Sequence, residues 1–388
     1  MKLHLVDATF ELFRAYYSRP PRRAPDGRPV NAVQGLVDSM LSLLREPDVS
    51  HIGAATDYVI ESWRNDLFPG YKSSAGLDRT LLAQFRDAEE ALRALGIPVW
   101  PMVEDEADDG LATAVARFGD DPRLDQIVVC SVDKDLAQLV DGQRIVLRDR
   151  MRRITYDEDG VVEKFGVSPE SIPDYLALVG DSSDGYPGLP GWGAKSAAAV
   201  LAKFRHLEGI PASVLDWQLD IRNASRLAAT LEQRRDEVLL YRTLARLNRD
   251  SSIEKETPTL DDLEWHGVPR DRFLALCEEL GFDTVRERVH RWAARDPPRT
   301  FGRVSPRWSA GTVRLHASTN RRGERARHGH RRDRLRTDGG SLTNGRGDRV
   351  RHLPIGDGTP ADNPRLPDRD GRGSDGRLPR LCEERPLA

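Results

Sequence analysis

Cysteine is scarce in this chain, and what there is stands far apart. Cys130, Cys277 and Cys382 are odd in number and show no Cys-x-x-Cys spacing, which excludes a disulfide framework and a zinc knuckle. No apolar run approaches the ~18 residues of a membrane span. The opening MKLHLVDATF has too short an apolar run for a secretory signal, and Asp7 interrupts it. These absences point to a soluble cytoplasmic protein. Lysine is missing after Lys255. From Arg299 to Ala388 there are 21 Arg against 11 Asp and Glu, a charge of +10, so the preceding part carries −13 of the overall −3. An acidic body is a poor nucleic-acid binder by bulk charge, unless its acids hold cations that reverse the local sign.

Along the first 150 residues, short apolar runs alternate with helical patterns. LHLV (3–6), HIGAAT (51–56), QIVVCSV (126–132) and RIVLRD (144–149) read as buried strands. AVQGLVDSMLSLL (32–44), LLAQFRDAEEALRALG (81–96) and ADDGLATAVARFG (107–119) read as helices, the last two closed by Gly96 and Gly119. Strands alternating with helices imply an α/β fold with a parallel sheet covered on both faces. From Pro169 the pattern is mostly helical, with SRLAATLEQRRDEVLLYRTLARL (225–247) as one long helix or a pair and RDRFLALCEELGF (270–282) as the last. Residues 1–168 are therefore expected to form the α/β core and 169–295 a helical subdomain. Residues 296–388, rich in Arg, Gly and Pro without apolar periodicity, cannot bury enough apolar surface to fold alone. They read as a disordered basic arm or as a non-native reading of a GC-rich gene, with the second favoured.

Acids recur where the strands end. Asp7 closes the first strand and Asp57 the second; Glu106, Asp108 and Asp109 open a helix; Asp133 and Asp135 follow the strongest strand; Asp181 and Asp184 follow a helix in GDSSD. Carboxyl ends of parallel strands gather along one edge, where ligands bind. Asp133 and Asp135, two apart in an extended stretch, should project to one side. Asp181 and Asp184, three apart, should share a helical face. Taken singly, each acid also reads as a helix cap or a solvated side chain; recurrence at successive strand ends is what points to metal. Clustered carboxylates repel one another unless protonated or neutralised. Hard divalent ions suit an all-oxygen donor set, Mg²⁺ first among them, and two ions about 3.5–4 Å apart can hold the attacking and leaving oxygens of a phosphoryl displacement. Calcium-loop spacing is absent.

The stretch VGDSSDGYPGLPGWGAKSAAAVLAKF (179–204) pairs acids, which repel phosphate, with a Gly191-x-Gly193-x-Lys195 turn that attracts it. Glycines admit close backbone approach, and a helix N-terminus offers free N–H donors. The two features agree if cations stand between the acids and the phosphate.

Taken together, LVDATFELFRAYY, AVQGLVDSMLSLL, GYKSS, EADD, SVDKDL and LVGDSSDGYPGLPGWGAKSAAAVL resemble the 5′-nuclease family. That family includes the 5′→3′ exonuclease domain of bacterial DNA polymerase I, phage 5′-exonucleases and flap endonucleases. The resemblance runs over roughly residues 2–290. It implies a PIN-like core with a helix–three-turn–helix element and a two-metal site of Asp7, Asp57, Glu106, Asp108, Asp109, Asp133, Asp135, Asp181 and Asp184. Asp7, Asp57, Glu106 and Asp108 would centre on one ion, and Asp133, Asp135 and Asp181 on the other. It further implies Mg²⁺, with Mn²⁺ as a substitute, and a helical arch over 61–82. There Lys72 would meet the scissile phosphate, supported by Arg64 and by Arg14, and Tyr71 is a candidate to stack on a base. Gly191, Gly193, Lys195 and Ser196 would grip duplex DNA with a monovalent cation, while Trp192 reads as packing. The implied activity is metal-dependent 5′→3′ exonuclease or 5′-flap endonuclease action on DNA by a stand-alone monomer, alongside a polymerase and a ligase. The alternatives are a PIN-type ribonuclease and a non-catalytic junction binder. Five positions depart from the common pattern: Ala8 and Gly185 replace Gly and Asn, Ser131-Val132 replaces Thr-Gly, and Ala75 stands where many relatives have Arg.

Overall fold

A computed structural model describes residues 1–253 and 259–294; the expectations for the 296–388 tail lie outside the described residues. The near-continuous apolar runs form one sheet: β1 (Lys2–Asp7), β2 (His51–Asp57), β3 (Val99–Met102), β4 (Gln126–Cys130) and β5 (Ile145–Asp149). A short β6 (Ile154–Tyr156) completes it. The order is β3-β2-β1-β4-β5-β6. All pairs are parallel except β5 with β6. Central β1 sets the register, with Leu5 opposite Gly53 on one side and Val129 on the other. The sequence reading missed β3 and β6. Pro101 inside β3 argues against a strand, yet β3 lies at the sheet edge, where a missing N–H is tolerated. β6 is mostly exposed and has no apolar run to betray it.

The helices are α1 (Ala8–Ser18), α2 (Asn31–Leu43), α3 (Trp63–Leu67), α4 (Arg79–Leu82), α5 (Phe85–Ala94) and α6 (Ala107–Phe118). They continue with α7 (Glu158–Phe165), α8 (Ile172–Val179), α9 (Ala194–Phe204), α10 (Ala224–Gln233), α11 (Arg235–Ala245) and α12 (Arg270–Leu280). Because side chains alternate along a strand, β1 serves two cores. Leu3 and Leu5 join residues of α6, α8, α9 and α11. Val6 joins α1, α2, α5 and α12.

Two expected outlines change and one choice is resolved. The helix read over 81–96 is two, α4 and α5. The stretch 225–247, read as one long helix or a pair, is the pair, parting at Arg234. Helix α12, assigned to the helical subdomain, instead buries Phe273 and Leu276 in the core of α2 and α5.

From β1 the chain steps one way to β2 and β3, while β4 and β5 lie on the other side of β1. The order reverses between β1 and β4, and in such sheets the crevice at the strands' carboxyl ends is where ligands sit. Asp7 and Asp133 lie at that reversal.

Candidate metal centre

Asp7 caps α1. Its Oδ1 accepts from the Phe10 N–H at 2.8 Å, and its Oδ2 accepts from the Ser131 hydroxyl at 2.8 Å. The Ser131 Oγ in turn accepts from the Asp133 N–H at 3.1 Å, so this hydroxyl ties the end of β1 to the segment after β4. Burial pushes Asp7 up to about 7, with Asp57 and Asp133 adding to it against those two donors. Asp57 accepts from the Ala107 N–H at 2.6 Å and is raised to about 6, first by burial, with Glu106 adding and Lys72 opposing. Asp108, at the start of α6, is raised well above its ordinary value by burial and then by Asp133 and Asp7.

Glu106 is heavily engaged by neighbouring side chains. Its oxygens accept from Ser62 Oγ at 2.7 Å and Tyr71 Oη at 3.3 Å, and Lys72 Nζ lies 2.7 Å away. Burial alone would raise this carboxyl, but Lys72 and Arg64 outweigh it and hold it below its usual range.

Asp135, Asp181 and Asp184 form a tighter group. Each offers an oxygen lying within 4.8 Å of the others, the one such group among the described residues. Asp181 and Asp184 do not share a helical face. Helix α8 ends at Gly180, and the two acids lie in the next turn, closed by backbone bonds between Asp181 and Tyr186. Three-residue spacing brings side chains together in a turn as well as in a helix. Asp135 begins a short 3₁₀ turn, and its N–H donates to Asp133 Oδ1 at 3.0 Å, so that pair is not purely extended. Burial, then Asp133, raises Asp135 well above its ordinary value. Burial also raises Asp184 to about 6 in spite of Lys72. Lys134, which sequence reasoning passed over inside VDKDL, pairs with Asp181 at 2.8 Å.

Three expected roles are corrected. Asp109, assigned to metal, has no free oxygen. Arg64 holds it bidentately at 2.6 and 2.8 Å, and the N–H groups of Glu106 and Asn248 donate to it at 3.0 and 2.8 Å. Arg64, assigned to the phosphate, is 1% exposed and also donates to the carbonyls of Leu244 and Arg246. Tyr71, a candidate for base stacking, is 4% exposed in the core.

The region 61–82 is not a continuous helical arch: only α3 and α4 are helical there. Lys72 lies on the loop between them, which docks through the Lys72 N–H to the Asp184 carbonyl at 2.9 Å. Gly185 explains its own departure from the pattern. Its φ is +88°, and a Cβ there would stand 2.3 Å from the Gly70 carbonyl oxygen. Arg14 pairs with Glu11 and donates to the Ser39 hydroxyl at 3.1 Å, and neither partner is one of the nine acids.

Away from the acids, Gly191 (φ +89°), Gly193 and Lys195 are exposed at the start of α9. Ser196 Oγ accepts from the Gly193 N–H at 3.0 Å. Trp192 is packing, its Nε1–H donating to the Leu227 carbonyl at 3.2 Å.

The all-carboxylate donor set, and an Asp135 Oδ1 that is buried without a hydrogen-bond partner among the described residues, fit a divalent cation. The comparisons decide the family. A 5′–3′ exonuclease N-terminal resolvase-like domain matches residues 2–166, and a 5′–3′ exonuclease C-terminal SAM fold matches residues 167–270. The chain belongs to the 5′–3′ exonuclease family. It is 35% identical over 300 residues to DNA polymerase I of Pseudomonas aeruginosa and 34% over 295 residues to that of Bacillus caldotenax. Both matches cover 74% of this chain but only 31% and 32% of the relatives, so the chain spans about a third of their length. A bacteriophage T5 flap endonuclease solved with DNA and metal ions superposes with a TM-score of 0.53 at 19% identity, over 72% of this chain and 100% of that one. The catalytic core of Rad2 with DNA substrate gives 0.50 at 16%, over 74% and 91%. These two likenesses carry the fold, a mainly parallel α/β sheet joined to helices. As a member of this exonuclease family, the chain is a hydrolytic nuclease. Among the described residues no helix is long and apolar enough to cross a membrane.

Proposed function

We propose that the chain hydrolyses phosphodiester bonds of DNA bearing a free 5′ end, flap or nick, with Mg²⁺ and with Mn²⁺ as a substitute. The buried Asp135–Asp181–Asp184 group beside the sheet reversal carries this reading. It would hold one cation; Asp7, Asp57, Glu106 and Asp108 would hold the other, with Asp133 between the two sets. When bound, the cations supply Lewis acidity for activating water and steadying the leaving 3′-oxygen.

The chain's own groups do the rest. Arg64 and Asp109 brace the start of α6, which presents Glu106 and Asp108. Lys72 reaches from its loop toward the same acids, and its ammonium is placed to offset charge on the non-bridging phosphate oxygens. Arg14 is a second cation for that charge. The Gly191–Ser196 turn grips the duplex backbone without reading sequence, with a monovalent cation. In this division residues 1–168 carry the chemistry and the helices beyond them hold the duplex.

The products carry 5′-phosphate and 3′-hydroxyl ends, which a replication or repair polymerase and a ligase consume in the cytoplasm. Each chain holds a complete site and works as a monomer. The test is cleavage of a 5′-labelled DNA flap and its RNA counterpart by the full chain with Mg²⁺, Mn²⁺ or EDTA. Metal-dependent cutting of DNA is expected. Faster cutting of RNA would make it a ribonuclease, and binding without cutting would make it a junction binder.

A further inference from the structure

Lys72 stands on a loop, yet both polar groups of its backbone are taken. Its N–H donates to the Asp184 carbonyl at 2.9 Å. Its carbonyl accepts from the Asn65 side-chain amide, Nδ2–H, at 2.9 Å. Two positions on, Ser74 gives both its N–H, at 2.8 Å, and its hydroxyl, at 2.5 Å, to Glu61 Oε1. Asn65 lies in α3 and Glu61 just before it, and the sequence reading gave neither a role.

Asn65 works in two directions. Its Oδ1 accepts from the Ser62 N–H at 2.8 Å, which closes the capping box of α3. Its Nδ2 holds the Lys72 carbonyl. One partner needs an acceptor and the other a donor, and an amide offers both ends. A carboxylate would close the same box but could donate nothing to a carbonyl. Ser62 in turn donates its hydroxyl to Glu106 at 2.7 Å. The oxygen end of Asn65 therefore supports the cap beneath an acid of the centre, and the nitrogen end supports the lysine. A group carried on a loop keeps a reactive geometry only where a surrounding layer fixes it, and small misplacements at a reacting centre are costly.

We propose that Asn65 is a positioning residue for Lys72. With the Asp184 carbonyl on the opposite polar group, it pins the Lys72 backbone, so that the ammonium is delivered to Glu106 and Asp184. The Glu61–Ser74 contact holds the far side of the same loop. The proposal rests on the role given to Lys72 above. It assigns Asn65 no contact with DNA or with a cation.

The test is flap cleavage by the full chain at saturating DNA and Mg²⁺, for wild type, Lys72→Ala, Asn65→Asp and the double variant. Lys72→Ala should lower kcat about 10²-fold. Asn65→Asp keeps the cap and loses the donor. It should lower kcat about tenfold, with KM and the melting temperature close to wild type. Asn65→Ala adds no charge and should show the same loss of kcat, with a lower melting temperature because the cap goes too. In the double variant Asn65→Asp should add nothing to the loss from Lys72→Ala. Independently of activity, backbone hydrogen exchange over 71–75 should quicken in Asn65→Asp while α6 keeps its protection. A wild-type kcat in Asn65→Asp, with the loss still seen in Lys72→Ala, would overturn the positioning role alone. So would a further loss in the double variant, since the substitution would then act through the fold or its new charge. A wild-type kcat in Lys72→Ala would overturn the reading of Lys72 and this proposal with it.

Discussion

Asp109 and Asp135 are both buried acids at the same edge of the sheet, and they are satisfied in opposite ways. Asp109 is enclosed by protein: a bidentate guanidinium and two backbone N–H groups use both of its oxygens. Asp135 sits among like charges with one oxygen open. The first is a finished ion pair whose removal should cost the fold. The second is an unfinished one whose removal should cost the chemistry. Position at a strand or helix end does not separate the two; the partners do.

The comparison breaks most readily through activity. Asp135→Asn should lower flap cleavage by about 10³-fold, the scale of losing one preorganised electrostatic partner, while the metal-free protein stays folded. Cleavage near the wild-type rate would remove Asp135 from the centre. On the other side, Arg64→Met should destabilise the protein by about 3–5 kcal/mol, because it leaves a buried carboxylate unpaired. Urea unfolding reads that loss, and a value near zero would return Asp109 to the pool of open ligands.

A smaller effect comes from pH. Folded Asp7 is raised to about 7 and Asp57 and Asp184 to about 6, so between roughly pH 4 and 7 the folded state binds more protons than the unfolded one. Stability of the metal-free chain should therefore fall as pH rises through that range. His4 is buried with its pKa lowered to about 4 and works in the opposite sense below about pH 6.5. The clean window lies above that value. From about pH 6.5 to about pH 8 the EDTA-treated protein should lose about 1 kcal/mol, and saturating Mg²⁺ should flatten the slope. A rise in stability over that interval would mean these acids are not held protonated. The smallest effect belongs to the exposed turn away from both acids. Lys195→Ala should weaken duplex binding about fivefold and reduce the salt slope by about 1, with the rate at saturating DNA unchanged.

The strands and the strand-end acids were readable because buried parallel strands are continuous apolar runs, and the residues just beyond them lie at one edge. The Asp109–Arg64 pair was hidden because its members are 45 residues apart in sequence and neither position carries a local sign of its partner. Tyr71 was illegible for a related reason: a tyrosine in a polar stretch reads the same whether its ring faces water or the core. The Asp181–Asp184 turn was misread as a helix because a spacing of three is shared by both. Helix α12 has ordinary amphipathic spacing, and spacing alone does not say against which layer a face will pack.

Lys72 gives the acidic edge a provisional counter-ion of its own. Its ammonium stands 2.7 Å from Glu106 and 3.3 Å from Asp184, between the two halves. A newly made chain therefore need not wait for a divalent ion before its acids can be brought together. Loading then becomes an exchange, in which one tethered charge gives way to mobile ones, rather than a rescue of an unstable cluster. The displaced lysine stays on its loop, close at hand when a phosphate arrives.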